Sequence, residues 1–347
     1  MIKKNHNAYS VFMGFLCLVV VYLHSSWIVG FDIFSLGLSL PVVEKVLNLF
    51  LMTAVPSFFF VWGYLSNKYL YQDLNSLTFW KTKFLQFYPL YLISFLCHQA
   101  LNYKNLSHFS LFELLGGVVG VYYVAGFYGG NVYLPVLFAI ITLPFLKSNR
   151  FSQKKINIFF MIICLLFTKL LPHESSNCYI RYFGYYTAFF VGIVSRDIDI
   201  VSRIKASKTL FIFFSVGALL TPVLNFLGVY STEIQYSPSS PEQLLWSVFI
   251  SCLCLILFDF ILNKLWIRRI VNTLSDIGNN AYFHFMVHAF VIHLLHSLLL
   301  IFGISPLFTQ IIIILTTSVI CVKVVLPVYV KVTEYGSEKM SKFKKIL

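Results

Sequence analysis

Charge is what this chain has least of. Only 11% of its 347 residues are Asp, Glu, Lys or Arg, against about 25% in an ordinary soluble domain. Acidic residues are scarcest, 13 against 26 basic ones. A water-facing surface cannot be built from so few charges, which excludes a soluble enzyme or binding domain of this length. Cysteine is sparse too: seven residues, of which only Cys178 falls in an expected outer loop, so no disulfide framework follows. No phosphate-binding glycine loop, Gly-x-Ser-x-Gly elbow or dinucleotide fingerprint is present, nor any internal repeat, low-complexity linker or separate soluble domain. No cleavable leader is expected, because the first apolar run is span-length and lacks a small-residue cleavage pattern.

What is abundant is apolar surface, at 59% of residues. Runs broken by charge, Pro and Gly place membrane spans near 8–28, 47–67, 84–101, 130–147, 156–172, 179–195, 207–228, 243–263, 279–302 and 307–329. Most approach the roughly 20 residues that cross about 30 Å of hydrocarbon as a helix. The stretch "LFELLGGVVGVYYVAGFYGG" at 111–130 is different. Its glycines and Glu113 suggest a re-entrant or partial helix buried in protein. The expected fold class is therefore all-α, a polytopic membrane protein of about ten transmembrane helices.

The basic residues orient it. With the N-terminus inside, all but four of the 26 Lys and Arg fall on cytoplasmic ends and turns; the exceptions are Lys45, Lys104, Lys169 and Arg181. That bias obeys the positive-inside rule and puts both termini in the cytoplasm. The net charge of +13 then reflects topology and attraction to anionic lipid, and no nucleic-acid partner is implied. Residues 336–347 form a basic cytoplasmic tail after a single integral-membrane domain over 1–335.

Ionisable groups at membrane depth are costly, so each one within a span is a candidate. His24, in "VVVYLHSSW", lies about 22 Å into the first span at 1.5 Å per residue. A neighbour-bonding His and a working His are both consistent with that position. His284 and His288 are four apart and share a helix face. No carboxylate or Cys on that face completes a metal site, so no metal is expected. His293 faces away and His296 sits near the outer end. Asp259 is expected to contact Lys264 or Arg268 at the inner surface. Two classes remain: a transporter of a polar solute, or an enzyme that uses His as acid or base within the membrane.

The order of short motifs separates these classes. "MGFLCLVVVYLHSSW" from Met13 resembles the opening of the membrane acyltransferase-3 family, in which Arg-Gly and an apolar run precede a His. "AVPSFFFVWGYL" at 54–65 is similar to its second-span motif, with Trp62 where Ser is usual. "FWKTKFLQFYPLYL" at 79–92, "GNVYLPVLFAI" at 130–140, "FFVGIVSRD", "LSDIGNNAYFHFMVHAF" and "YVKVTEYG" follow in the family's order.

The resemblance implies transfer of an acyl group, usually acetyl, from cytoplasmic acetyl-CoA to a hydroxyl of a surface polysaccharide or lipid-linked glycan, in a bacterial inner membrane and with no tightly bound cofactor. It implies His24 as catalytic base, and imidazole suits that task at neutral pH. A covalent acyl-His is also chemically allowed. Lys81 and Lys83 would bind the donor, with Lys264, Arg268 and Arg269 as helpers. His288, in a facing span, would orient His24 or the substrate, and Tyr133 and Glu113 would orient the substrate. The family's arginine eleven residues before its His falls on Met13 here, and its two arginines before Pro fall on Lys83 and Gln86. A non-catalytic relative, or an exporter of a lipid-linked saccharide, is the alternative those departures leave.

Overall fold

The structure is a computed structural model that describes residues 8–30, 51, 53–70, 76–101, 110–119, 155, 157–163, 166, 178–226, 241–262 and 268–331. The expected span at 130–147, most of that at 156–172, the second half of the Gly-rich stretch, and the tail lie outside these residues. So do Tyr133 and the side chain of Lys83.

Every regular element among the described residues is helical. In chain order they are α1 (Ala8–Val29), α2 (Ala54–Leu70), α3 (Ser76–Leu101), α4 (Leu111–Val119), α5 (Cys178–Asp197), α6 (Ile200–Ala206), α7 (Lys208–Phe226), α8 (Pro241–Leu262), α9 (Arg268–Asn279), α10 (Ala281–Ile301) and α11 (Pro306–Ile320). A π-helical turn, Cys321–Val325, extends α11. Among the described residues, four helices are long and apolar enough to cross a membrane: Ala8–Val29, Gln243–Leu262, Ala281–Ile301 and Pro306–Lys331. The pair α6 and α7, bent by 112°, is a fifth only if both form one span. The spans expected on α3 and α5 are helical, but polar groups such as His98, Gln99, Tyr185 and Tyr186 lower their hydropathy. These four side chains are buried, so they face protein.

Two close backbone contacts organise the bundle. A Cβ on Gly14 would lie 1.9 Å from the Leu274 carbonyl oxygen, and one on Gly278 would lie 1.8 Å from that of Ser10. The helices α1 and α9 therefore meet backbone to backbone in antiparallel register, which only small residues allow. The same device joins α2 to α5, where a Cβ on Gly63 would lie 1.9 Å from the Phe189 carbonyl and one on Gly192 2.1 Å from that of Phe60. At Asn280 the chain reverses and α10 climbs beside α1, so α9 and α10 embrace α1 as a helical hairpin.

The ion pairs gather at the end of the bundle that holds the start of α1. Lys323 meets Asp276 at 2.8 Å, and Arg196 lies 3.9 Å from Asp199. Asp259 pairs with Lys205 at 2.6 Å, a partner not expected from sequence; Lys264 lies outside the described residues. The cause is the turn at Asp199, a left-handed residue (φ 50°) of a type that tolerates that conformation. That turn starts α6 and brings Lys205 back against the end of α8.

Helix α4 also departs from its expected setting. It is short, as a partial helix would be, but Leu111, Phe112 and Leu115 are exposed rather than enclosed by protein. Tyr91 and Tyr88 of α3 donate hydroxyl hydrogen bonds to the Gly117 and Val118 carbonyls, which satisfies two of the orphan acceptors at its C-terminal end.

Candidate active site

Fourteen residues above Ser10, or about 21 Å along α1, the apolar interface between α1 and α10 turns polar. His24 of α1 and His288 of α10 face each other, with Nδ1 of His24 2.8 Å from Nε2 of His288. The other ring nitrogen of His288 lies 3.0 Å from the His284 carbonyl oxygen, four residues back on the same helix. A carbonyl only accepts, so His288 Nδ1 carries a proton. In the neutral pair, His288 Nε2 is then the acceptor and His24 Nδ1–H the donor. The basic lone pair of His24 is thereby placed on Nε2. This tautomer follows from hydrogen-bond logic and is the form a general base needs.

The surroundings hold both rings in place. The His288 ring is parallel to that of His284, with centroids 5.4 Å apart and planes within 3°. His284 is fully buried, and its Nε2 lies 2.9 Å from Ser318 Oγ on α11. On the other side, Trp27 stacks on His24 at 5.3 Å. Trp27 remains 39% exposed, while the rings below it in α1 are buried or half-buried, so the site opens toward the far end of α1. Beside it, the buried Gln310 amide of α11 donates to Ser26 Oγ at 2.7 Å. Ser25 and Ser26 both donate to the Tyr22 carbonyl, the back-bonding usual for Ser within a helix.

The residues singled out in the sequence are thus only partly brought together. His24 and His288 form one unit. Two ring nitrogens 2.8 Å apart share a proton; ligands of one tetrahedral zinc would stand about 3.4 Å apart. Lys81 is exposed near the start of α3, and Arg268 and Arg269 are exposed at the start of α9. Glu113 is engaged locally. Its carboxylate accepts hydrogen bonds from the Ser110 N–H and hydroxyl, both at 2.8 Å, and its own N–H donates to Ser110 Oγ. This reciprocal capping box at the start of α4 holds the carboxyl below its usual range, the backbone bond being the larger cause. His293 packs against the buried His98 of α3, with ring centroids 5.9 Å apart.

Two participants were missed in the sequence: Ser318 and Gln310. Ser318 and Gln310 are on one helix, where with Thr309 and Thr317 they make a buried polar stripe. "FTQIIIILTTS" carries that stripe as polar residues at positions 309, 310, 317 and 318, close to helical periodicity. That was the available signal.

Fold and site together define a helical membrane protein whose interior polar machinery is a histidine pair. The family model described as the acyltransferase domain covers residues 11–326, which include all of this machinery, and the chain belongs to that acyltransferase-3 family. No curated protein and no solved structure matches it. The chain is thus a membrane acyltransferase by family.

Proposed function

We propose that this protein is an O-acyltransferase that moves an acyl group, acetyl above all, from acyl-CoA on the cytoplasmic side to a hydroxyl of a surface polysaccharide or lipid-linked glycan on the outer side. The setting is a bacterial inner membrane, crossed ten times with both termini cytoplasmic, in keeping with the bias of Lys and Arg. The observation that carries the reading is the 2.8 Å contact between His24 and His288, with His288 anchored by a carbonyl. That arrangement leaves His24 Nε2 as a base aimed away from its partner.

The chemistry follows from those atoms. As the acceptor oxygen attacks the thioester carbon, His24 Nε2 takes its proton; the carbon–sulfur bond then breaks, and the departing thiolate takes that proton to leave as free CoA. While His24 is protonated, its Nδ1–H keeps its bond to His288, so the charge is stabilised by a ring already in place. Were the acyl group to pass through His24 itself, Nε2 would again be the working atom, as nucleophile. Lys81 and Lys83 supply cationic contacts for the CoA phosphates at the inner face, and Arg268 and Arg269 are further candidates. Tyr133 and Glu113 belong to the outer region through which the acceptor enters.

One observation favours a second reading. Met13, at the family's arginine position, is buried at 7% exposure in the main apolar core, so that position itself supplies no cation. A family member that binds or moves a glycan without acylating it would look the same. Glycans from cells with and without the protein separate the two. Acyl transfer adds the mass of an acyl group that mild alkali removes, and His24→Ala abolishes that addition at normal protein abundance. Unchanged glycan in the presence of the wild-type protein would leave the second reading.

A further inference from the structure

The histidine pair does not stand alone, because His288 rests on a third ring. His284 is fully buried, parallel to His288, and joined through Nε2 to Ser318 Oγ. Its Nδ1 has no hydrogen-bond partner among the described residues. The bond to Ser318 forms in either neutral tautomer, with Nε2–H donating to Oγ or the hydroxyl donating to Nε2. An unpaired buried charge would cost several kcal/mol, so the ring is neutral. It thus offers His288 an uncharged flat face, and its main-chain carbonyl takes His288 Nδ1–H. One residue constrains its neighbour twice, once through its backbone and once through its ring.

Ser318 is the point at which this constraint reaches a second helix. Below it, the π-helical turn at Cys321–Val325 absorbs one residue. Five regular helical steps would set Lys323 about 140° from Ser318; Lys323 lies inside the π turn, which takes up part of the extra residue before it and brings it back toward the Ser318 face. Helix α11 can therefore hold Ser318 on His284 and Lys323 on Asp276 at the same time. The hydroxyl is fixed by the packing of α11 and not by its own rotamer alone.

We infer that Ser318 and His284 are positioning residues of the site: Ser318 locks the His284 ring, and the locked ring holds His288 in the plane and tautomer that keep the basic nitrogen of His24 at Nε2. This deepens the proposed acyl transfer and rests on it for its catalytic consequence, but its structural half can be tested without any substrate.

The test uses the full chain in lipid nanodiscs, labelled with nitrogen-15 histidine, with wild type, Ser318→Ala, Ser318→Thr and His284→Phe compared. In the wild type, nitrogen shifts should report His24 as a single tautomer protonated at Nδ1. Ser318→Ala should convert that signal to an average of both tautomers, and Ser318→Thr, which keeps the hydroxyl, should restore it. His284→Phe keeps a flat ring but cannot bond Ser318, and should give the averaged signal as well. Where transfer is assayed, Ser318→Ala should lower kcat about tenfold with both KM values within about twofold, the pattern of a lost transition-state contribution. A single unchanged His24 tautomer in Ser318→Ala and His284→Phe would overturn the inference, whatever the activity. If Ser318→Ala fails to fold, His284→Phe decides alone. An active His24→Ala protein would instead overturn the proposed function while leaving the tautomer result to stand.

Discussion

The two glycine-mediated contacts of this bundle begin alike and are used differently. In the α2–α5 pair, close approach at Gly63 and Gly192 is followed along the interface by rings: Phe59 stacks on Tyr185 at 5.1 Å and Trp62 lies 4.9 Å from Phe189. No buried histidine occurs among its described side chains, and its cation Arg196 sits exposed at the end, over Tyr64. In the α1–α9–α10 set the glycines confine close approach to the lower part of α1. Above that level α1 leaves α9 and meets α10, where histidines replace rings. The lesson is that backbone contact and polar machinery are stacked along one helix. The first fixes the second without sharing space with it.

Substitutions should split the two regions accordingly. The largest effect is expected from the glycines of either pair. Gly63→Val or Gly14→Val drives a side chain into a backbone carbonyl that cannot yield, and should destabilise by more than about 4 kcal/mol. The check is the yield of monodisperse protein, and equal loss in both pairs would confirm their equivalence. Met13→Arg should come next and act only on the α1 side. It buries a cation in a packed face at about 3 kcal/mol on insertion scales, so thermal unfolding in detergent should shift down with no gain in donor use. Retained stability would mean that water reaches residue 13.

His288→Ala should sharpen the contrast, with folded protein near normal and kcat lower by about a hundredfold, the low end of what a positioned base contributes. A Phe59→Leu change in the α2–α5 interface should show the opposite, lower stability with kcat kept per folded molecule. Lys83→Ala should raise KM for acetyl-CoA about tenfold, the worth of one charge-assisted contact, and leave acceptor KM unchanged. Smallest of all, Lys205→Met removes an exposed ion pair and should shift stability by less than about 0.5 kcal/mol.

Helices were legible in the sequence because long apolar runs permit little else in a membrane, and α1, α8, α10 and α11 follow their expected bounds closely. His24 and His288 were legible as costly groups, and the order of motifs tied them to one family. That His288 faces His24 was one of two roles the resemblance offered, but the nitrogens that meet were not legible, because they depend on how far α10 rises beside α1 after Asn280. Asp259 shows the same limit from the other side: it has a partner 54 positions away, since a left-handed turn at Asp199 delivers Lys205. Ser318 carried only the signal of a polar stripe, because Ser in a span is ordinary, and only the ring across from it gives the hydroxyl a task.

The Gly14–Gly278 contact has a consequence for the choice of donor. By locking α1 against α9 it prevents α1 from sliding, so His24, about 21 Å above Ser10 along α1, stays at a fixed height relative to α9. On the proposed topology α1 then works as a ruler that reads the donor's length. An activated acyl group whose charge lies beside its carbonyl cannot present that carbon to His24 without dragging phosphate into hydrocarbon, where charge is heavily penalised. A thioester carried on a long uncharged arm can reach the same depth while its phosphates stay among lysines and arginines at the inner face. A pair of glycines, neither touching substrate, would in this way discriminate between donors of equal chemical reactivity.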